Sequence, residues 1–167
     1  MSTLTSRRLI VLRHAKSDQY SDAPTDHDRP LNARGIRNAP LIGARLAELG
    51  WVPQVVVSSD ALRTRQTWEH MHDALGGTPQ VSFARALYLA GPTEVREALR
   101  GLPDEVGTAM VIGHNPGWED VVFGLSGVRV RMTTANAALL EVQAAGWAEA
   151  VGRGDWRLDA VLRPKEL

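Results

Sequence analysis

The sequence predicts an α/β domain built around a partly parallel sheet. Three short apolar runs rich in β-branched residues, at 9–12, 55–57 and 109–112, read as strands buried on both faces. The segments between them carry helical periodicity closed by glycine or proline, and strand alternating with helix is the pattern of a sheet covered by helices.

Taken in order, the first strand, Leu9-Ile10-Val11-Leu12, ends on Arg13 and His14. Residues 36–49 then place Ile36, Ala39, Ile42, Leu46 and Leu49 on one helical stripe, which Gly50 stops. After the second strand, residues 61–75 form a helix with Leu62, Met71 and Leu75 inward and Gly76-Gly77 closing it. Thr93 can cap a third helix running through Leu102, with Val95 and Leu99 inward and Pro103 just beyond. Pro116 suits the first turn of a fourth helix, which runs to Leu125. Residues 138–142 and 156–162 read as antiparallel strands joined by a connection over 146–154. The second alternates Trp156, Leu158, Ala160 and Leu162 against Arg157, Asp159 and Val161. The five tryptophans are assigned to the core by default.

A chain of 167 residues fits one domain, 1–167, with one continuous core. Nineteen Lys and Arg balance nineteen Asp and Glu, so a broad nucleic-acid or acidic-membrane surface is not expected and any attraction for an anion must be local. The absence of cysteine excludes disulfides, thiolate catalysis and Cys-ligated zinc. Residues 1–8 are polar and the following apolar run is four residues long, too short for a signal-peptide core or a membrane span, so the expected location is cytoplasmic.

Three strand ends carry the chemistry. Arg13-His14 follows the first strand, Ser58-Ser59-Asp60-Ala61-Leu62-Arg63 follows the second, and Gly113-His114-Asn115-Pro116-Gly117 follows the run at 109–112. In an open α/β sheet ligands sit at such ends, and these three could converge on one phosphate. A phosphoryl group needs donors in fixed directions, which Arg13 and Arg63 would supply as planar forks. His14 is the candidate nucleophile, since a neutral imidazole attacks phosphorus and leaves readily again; His114 would donate to a phosphate oxygen. Each residue also has a structural reading: a solvated arginine, a histidine tied to its loop, or a Ser/Asp helix cap at 58–60. The sequence does not say which nitrogen of His14 attacks.

In this order and spacing, Arg13-His14-Ala15, residues 58–67 and Gly113-His114-Asn115-Pro116 resemble the histidine phosphatase superfamily, also called the phosphoglycerate mutase-like family. Arg13-His14-Ala15-Lys16-Ser17 followed by Asp26-His27-Asp28-Arg29-Pro30-Leu31-Asn32-Ala33-Arg34-Gly35 resembles its small SixA-type phosphohistidine phosphatase branch. The resemblance implies a three-layer α/β/α sandwich with a mostly parallel mixed sheet and helices on both faces. It also implies transient phosphorylation of His14, a phosphate pocket made by Arg13, Arg63 and His114, hydrolysis of the phosphoenzyme by water, and no metal or organic cofactor. Arg29 is an additional anion contact by its place in the motif, or equally an anchor for its loop.

The chain departs from the larger members of that superfamily, which place a carboxylate near the end of the third strand region as general acid. Residues 86–91, Ala-Leu-Tyr-Leu-Ala-Gly, contain none. Glu94 and Asp18 are the remaining candidates for that acid, Glu94 having a structural alternative in the first turn of its helix. An alkoxide leaving group depends on a proton donor, worth about 10²–10⁴ in rate; an imidazole depends on it less. The short interval between Thr67 and Thr108 leaves no room for a large cap. The expected reaction is therefore removal of phosphate from phosphohistidine on a protein, such as a histidine phosphotransfer domain. The alternatives are a broad phosphomonoesterase acting on a small phosphorylated molecule, and a non-catalytic phospho-binding module. His70 and His72 lie two apart on a helix and point to different sides, as surface residues do rather than zinc ligands.

Overall fold

In the computed structural model, which describes residues 3–167, six strands hydrogen-bond into one sheet. Met1 and Ser2, the start of the polar N-terminal stretch, lie outside the described residues. The strands are β1 (Thr5–Arg13), β2 (Val55–Ser59), β3 (Gln80–Ala84), β4 (Thr108–Gly113), β5 (Ala137–Ala144) and β6 (Arg157–Leu162), in the order β3-β2-β4-β1-β5-β6. Pairings β1–β4, β2–β4 and β2–β3 are parallel, and those of β5 with β1 and β6 are antiparallel. The sheet is thus mixed, with a parallel block at residues that read as unbroken apolar runs.

That composition follows from the two layers of helix. On one face α1 (Ala33–Glu48) and α2 (Leu62–Leu75) bring Ile42, Leu46, Met71 and Leu75 against Ile10, Leu12, Val56 and Ile112. On the other, α3 (Pro92–Arg100), α4 (Gly117–Ser126) and the single turn α5 (Trp147–Ala150) bring Val95, Leu99, Trp118, Val122 and Trp147 against Leu9, Val11, Val57 and Val111. Consecutive β1 residues point to opposite faces, so a strand covered on both sides must be apolar at every position. Trp118, Trp147 and Trp156 are buried, each with its indole N–H donated to a main-chain carbonyl, of Val111, Val106 and Ala150 respectively. No helix among the described residues is long and apolar enough to cross a membrane.

Several local expectations are corrected. The buried stripe of α1 runs through Gly35, Ala39, Ile42, Gly43 and Leu46, while Ile36 and Leu49 are exposed. The glycines set this face: a Cβ on Gly35 would lie 2.2 Å from the Lys16 carbonyl oxygen, and one on Gly43 2.7 Å from that of Met71. Leu62 is only half-buried at the start of α2. Helix α3 begins at Pro92 after Gly91, not at a Thr93 cap, and ends at Arg100. The connection at 146–154 contains α5 rather than a plain hairpin loop. In β6 a register shift opposite Leu139 and Leu140 breaks the alternation. Leu158 therefore packs with one core layer and Ala160 and Leu162 with the other, while Val161 turns inward with Leu158.

The topology creates the site. Strand β1 leads to α1 on one face, and its parallel neighbour β4 leads to α4 on the opposite face. The chains leaving these two adjacent strand ends diverge, and a crevice opens at the carboxyl edge of the sheet.

Candidate active site

Arg13, His14, Arg63 and His114 meet in that crevice. The His14 and His114 rings lie with centroids 5.3 Å apart, because His14 N–H donates to the Gly113 carbonyl at 3.0 Å and extends the β1–β4 pairing by one residue. The Ala135 N–H closes the turn from the far side, 2.9 Å from the His14 carbonyl. The next residue is pinned to α2, with Ala15 N–H donating to Thr67 Oγ1 at 3.0 Å and Thr67 O–H to the Arg63 carbonyl at 2.7 Å. Gly35 lets the first turn of α1 approach Lys16, and Asn32 caps that turn by accepting the Gly35 N–H at 2.9 Å.

These contacts fix the chemistry of the rings. His14 Nδ1 lies 2.7 Å from the Ala15 carbonyl; a carbonyl can only accept, so Nδ1 carries the proton and Nε2 is left with the lone pair. Burial, reinforced by His114, Arg63 and Arg13, holds the His14 pKa well below 6.5, with only the Ala15 bond opposing. Burial, then the Arg63 charge, lowers His114 to about 3. Both imidazoles are therefore neutral near pH 7. His114 Nε2 pairs with Ser59 Oγ at 2.8 Å, whereas its Nδ1 is buried without a partner.

The guanidinium groups are held by their outer nitrogens. Arg13 donates Nη1 to the Met132 carbonyl at 2.9 Å, in a loop fixed by Asn115 and Glu119, which bond the Met132 carbonyl and N–H at 2.7 Å each. Arg63 is 2% exposed and donates Nη1 to the Asp26 carbonyl at 2.7 Å and Nη2 to Asp26 Oδ2 at 3.0 Å. In both arginines Nε is buried with no partner. The crevice thus gathers a ring nitrogen with a free lone pair and three buried nitrogens, Arg13 Nε, Arg63 Nε and His114 Nδ1, whose hydrogen-bonding capacity is unused. Buried donors of this kind are the groups that an oxyanion pairs with.

The remaining sequence candidates lie elsewhere. Glu94 accepts the Gly91 N–H at 2.9 Å at the start of α3 and lines the groove between β3 and α3. Asp18 accepts the Tyr20 N–H at 2.9 Å. Neither carboxylate bonds a residue of the crevice. Arg29 donates to Ser17 Oγ and to Asp26 Oδ1, and so ties its loop together.

Sequence reasoning missed Asp26, Tyr88, Ser59 and Thr67 as members of the site. Tyr88 donates its hydroxyl to Asp26 Oδ2 at 2.5 Å and sets its ring edge-on to His114, 5.4 Å away. His27 completes the rim, paired with Asp60 at 2.7 Å and edge-on to Tyr88 at 4.8 Å. Asp26 stands inside the 26–35 motif and Ser59 and Thr67 inside 58–67, so their positions were in view. Their contacts join segments far apart in the chain, which local pattern does not reveal.

A crevice at the carboxyl edge of the sheet's parallel block, with two arginines and two neutral histidines, fits the class of phosphoglycerate mutase-like folds. Residues 9–87 match the profile of the histidine phosphatase superfamily (branch 1). A structure from Nakamurella multipartitia, described as a candidate phosphohistidine phosphatase SixA, is 30% identical and superposes with a TM-score of 0.83 over 97% of this chain and 98% of that one. A second candidate SixA, from Agrobacterium tumefaciens, is 26% identical with a TM-score of 0.77 over 98% and 99%. An uncharacterized chloroplastic protein of Arabidopsis thaliana is 39% identical over 98% of this chain and 80% of its own length. The chain belongs to the histidine phosphatase superfamily, in its SixA-type branch.

Proposed function

We propose that this protein is a cytoplasmic phosphatase that removes phosphate from phosphohistidine on a protein, such as a histidine phosphotransfer domain, through a phosphohistidine formed on His14. The observation that carries this reading is the bond from His14 Nδ1 to the Ala15 carbonyl at 2.7 Å, which makes Nε2 the attacking atom beside three buried, unpartnered nitrogens. Nε2 attacks phosphorus, the bond from phosphorus to the leaving nitrogen breaks, and that nitrogen takes the electron pair. Arg13 Nε, Arg63 Nε and His114 Nδ1 donate to the three peripheral oxygens, where charge accumulates in the transition state. For His114 this requires the Nδ1–H tautomer, which Ser59 sets by donating its hydroxyl to Nε2. Water then attacks the phosphoenzyme and returns His14 with its lone pair.

Two features support a protein N-phosphate over a small phosphate ester. Among the described residues, the carboxylates nearest the crevice are engaged in other bonds: Asp26 with two arginines and Tyr88, Glu119 with Asn115 and the Met132 N–H, while Glu94 caps its own helix. Between Thr67 and Thr108 the chain forms the rest of α2, β3 and α3, with no inserted cap over the crevice. The test is phosphoryl trapping: brief incubation with labelled phosphohistidine peptide, then denaturation, gives acid-labile, alkali-stable label on wild type and none on His14→Ala. Full turnover by His14→Ala would overturn the covalent mechanism, and turnover of phosphoserine or sugar phosphates with none of phosphohistidine would overturn the substrate.

A further inference from the structure

An anion is bonded to the crevice through Arg63. Asp26 is a carboxylate bonded into the site: it holds Arg63 Nη2, takes the Tyr88 hydroxyl, and has a side chain 49% exposed. The Tyr88 bond, with Arg29 and Arg63, keeps it ionised far below the usual carboxylate range, so it cannot serve as a proton donor. Around it stand Arg63 from α2, Arg29 from its own loop and Tyr88 after β3, with the His27–Asp60 pair and His114 next along the rim. Its Oδ2 accepts two bonds but Oδ1 only one, from Arg29 Nη2 at 3.1 Å. A carboxylate offers about four acceptor positions, so one on Oδ1 is open.

We propose that Asp26 selects N-phosphoryl over O-phosphoryl substrates by accepting the ring N–H of phosphohistidine, on the nitrogen that does not carry phosphorus. This inference rests on the phosphohistidine reading above and names what recognises the leaving group. With that nitrogen protonated, attack by His14 Nε2 breaks the phosphorus–nitrogen bond, the departing nitrogen keeps the pair, and a neutral imidazole leaves with its N–H still on Asp26. Without that proton the leaving group is an imidazolate, a far stronger base. An anion beside the bound ring favours the protonated form, whereas beside a departing alkoxide or phenolate the same charge repels. The fixed carboxylate thus substitutes for the missing acid with N-phosphates only.

The experiment compares wild type with Asp26→Asn on 1-phosphoimidazole and p-nitrophenyl phosphate, reading the single-turnover rate of phosphoryl transfer at saturation against pH. A nearby opposite charge raises a bound ring's pKa by about 1–3 units, so wild type should hold its rate on 1-phosphoimidazole at least one unit above the pH at which the free compound loses its ring proton. In Asp26→Asn that limb should fall back, with about tenfold or greater loss near pH 8, while p-nitrophenyl phosphate loses much less. Equal loss on both substrates would show that Asp26 only positions Arg63 and would overturn the inference while leaving the phosphohistidine reading intact. The wild-type limb needs no variant, and its coincidence with the free compound's titration would overturn the inference too. Turnover of p-nitrophenyl phosphate by wild type with none of 1-phosphoimidazole would remove the underlying reading and the inference with it.

Discussion

Two neutral histidines buried at the carboxyl edge of the sheet make acid a specific stress on this fold. His114 has a pKa of about 3 in the folded protein against an ordinary value of 6.5, chiefly through burial, and His14 is displaced in the same direction. Between those two values the unfolded chain binds a proton that the folded chain refuses, so stability is full above about pH 6.5 and falls as pH drops toward the folded value. At pH 4.5, two units below 6.5 and still well above 3, His114 alone accounts for a loss of about 2–3 kcal/mol, at roughly 1.4 kcal/mol per unit. That is a large share of a typical stability of about 5–15 kcal/mol. Urea unfolding of wild type and His114→Gln at pH 7.5, 5.5 and 4.5 measures it, the carboxylates being common to both. Wild type should lose about 2–3 kcal/mol more than the variant between the first and last pH. Parallel loss in the two proteins would refute the claim that His114 is buried uncharged.

Other changes separate positioning from packing. Thr67→Val leaves the Ala15 N–H buried without its acceptor, which should cost about 1–3 kcal/mol in urea unfolding and lower turnover by loosening the loop behind His14. Glu94→Ala removes the carboxylate from the Gly91 N–H and should cost about 0.5–2 kcal/mol, while turnover of phosphohistidine peptide stays within about threefold of wild type; a hundredfold fall would restore Glu94 as the acid. Gly35→Ala puts a Cβ 2.2 Å from the Lys16 carbonyl, so backbone must shift. A lower melting temperature corresponding to about 1–3 kcal/mol is expected, with turnover reduced because Lys16 lies in the His14 loop.

The legible parts of this molecule were those in which a local pattern has one physical cause. The runs at 9–12, 55–57 and 109–112 read as strands because burial on both faces demands apolar side chains throughout, and the structure places them at the centre of the sheet. The gathering of Arg13, His14, Arg63 and His114 was legible because all four stand at or just after the carboxyl ends of adjacent strands. What escaped depended on tertiary approach. The buried face of α1 is set by Gly35 and Gly43 meeting backbone from elsewhere, not by the apolar stripe, and the alternation in β6 is broken by its pairing with β5. Asp26 entered the site through bonds to Arg63 and Tyr88, 37 and 62 residues away in sequence.

A buried, unpartnered nitrogen does not by itself mark a site, and Arg7 shows why convergence is the stronger criterion. Its Nε is as orphaned as those of Arg13 and Arg63, and its outer nitrogens are spent on the carbonyls of Asp104, Val106 and Ala145. Yet Arg7 sits near the opposite end of β1, where the bonded carbonyls join the turn before β4 to the turn after β5 and no nucleophile stands beside it. Arg13 ends the same strand, next to a neutral imidazole with a free lone pair and within the field of Arg63. One leaves a single donor unmet in a structural clamp; the other belongs to a group of three unmet nitrogens on residues that gather beside His14. Desolvated donors cost energy wherever they occur, and under the proposed function a shared oxyanion would offset that cost for all three. Arg7→Met should therefore lower stability with little change in turnover per folded molecule, whereas Arg13→Met should cut turnover far more than it lowers the urea midpoint. If the two variants lost activity alike, convergence would carry no functional meaning here.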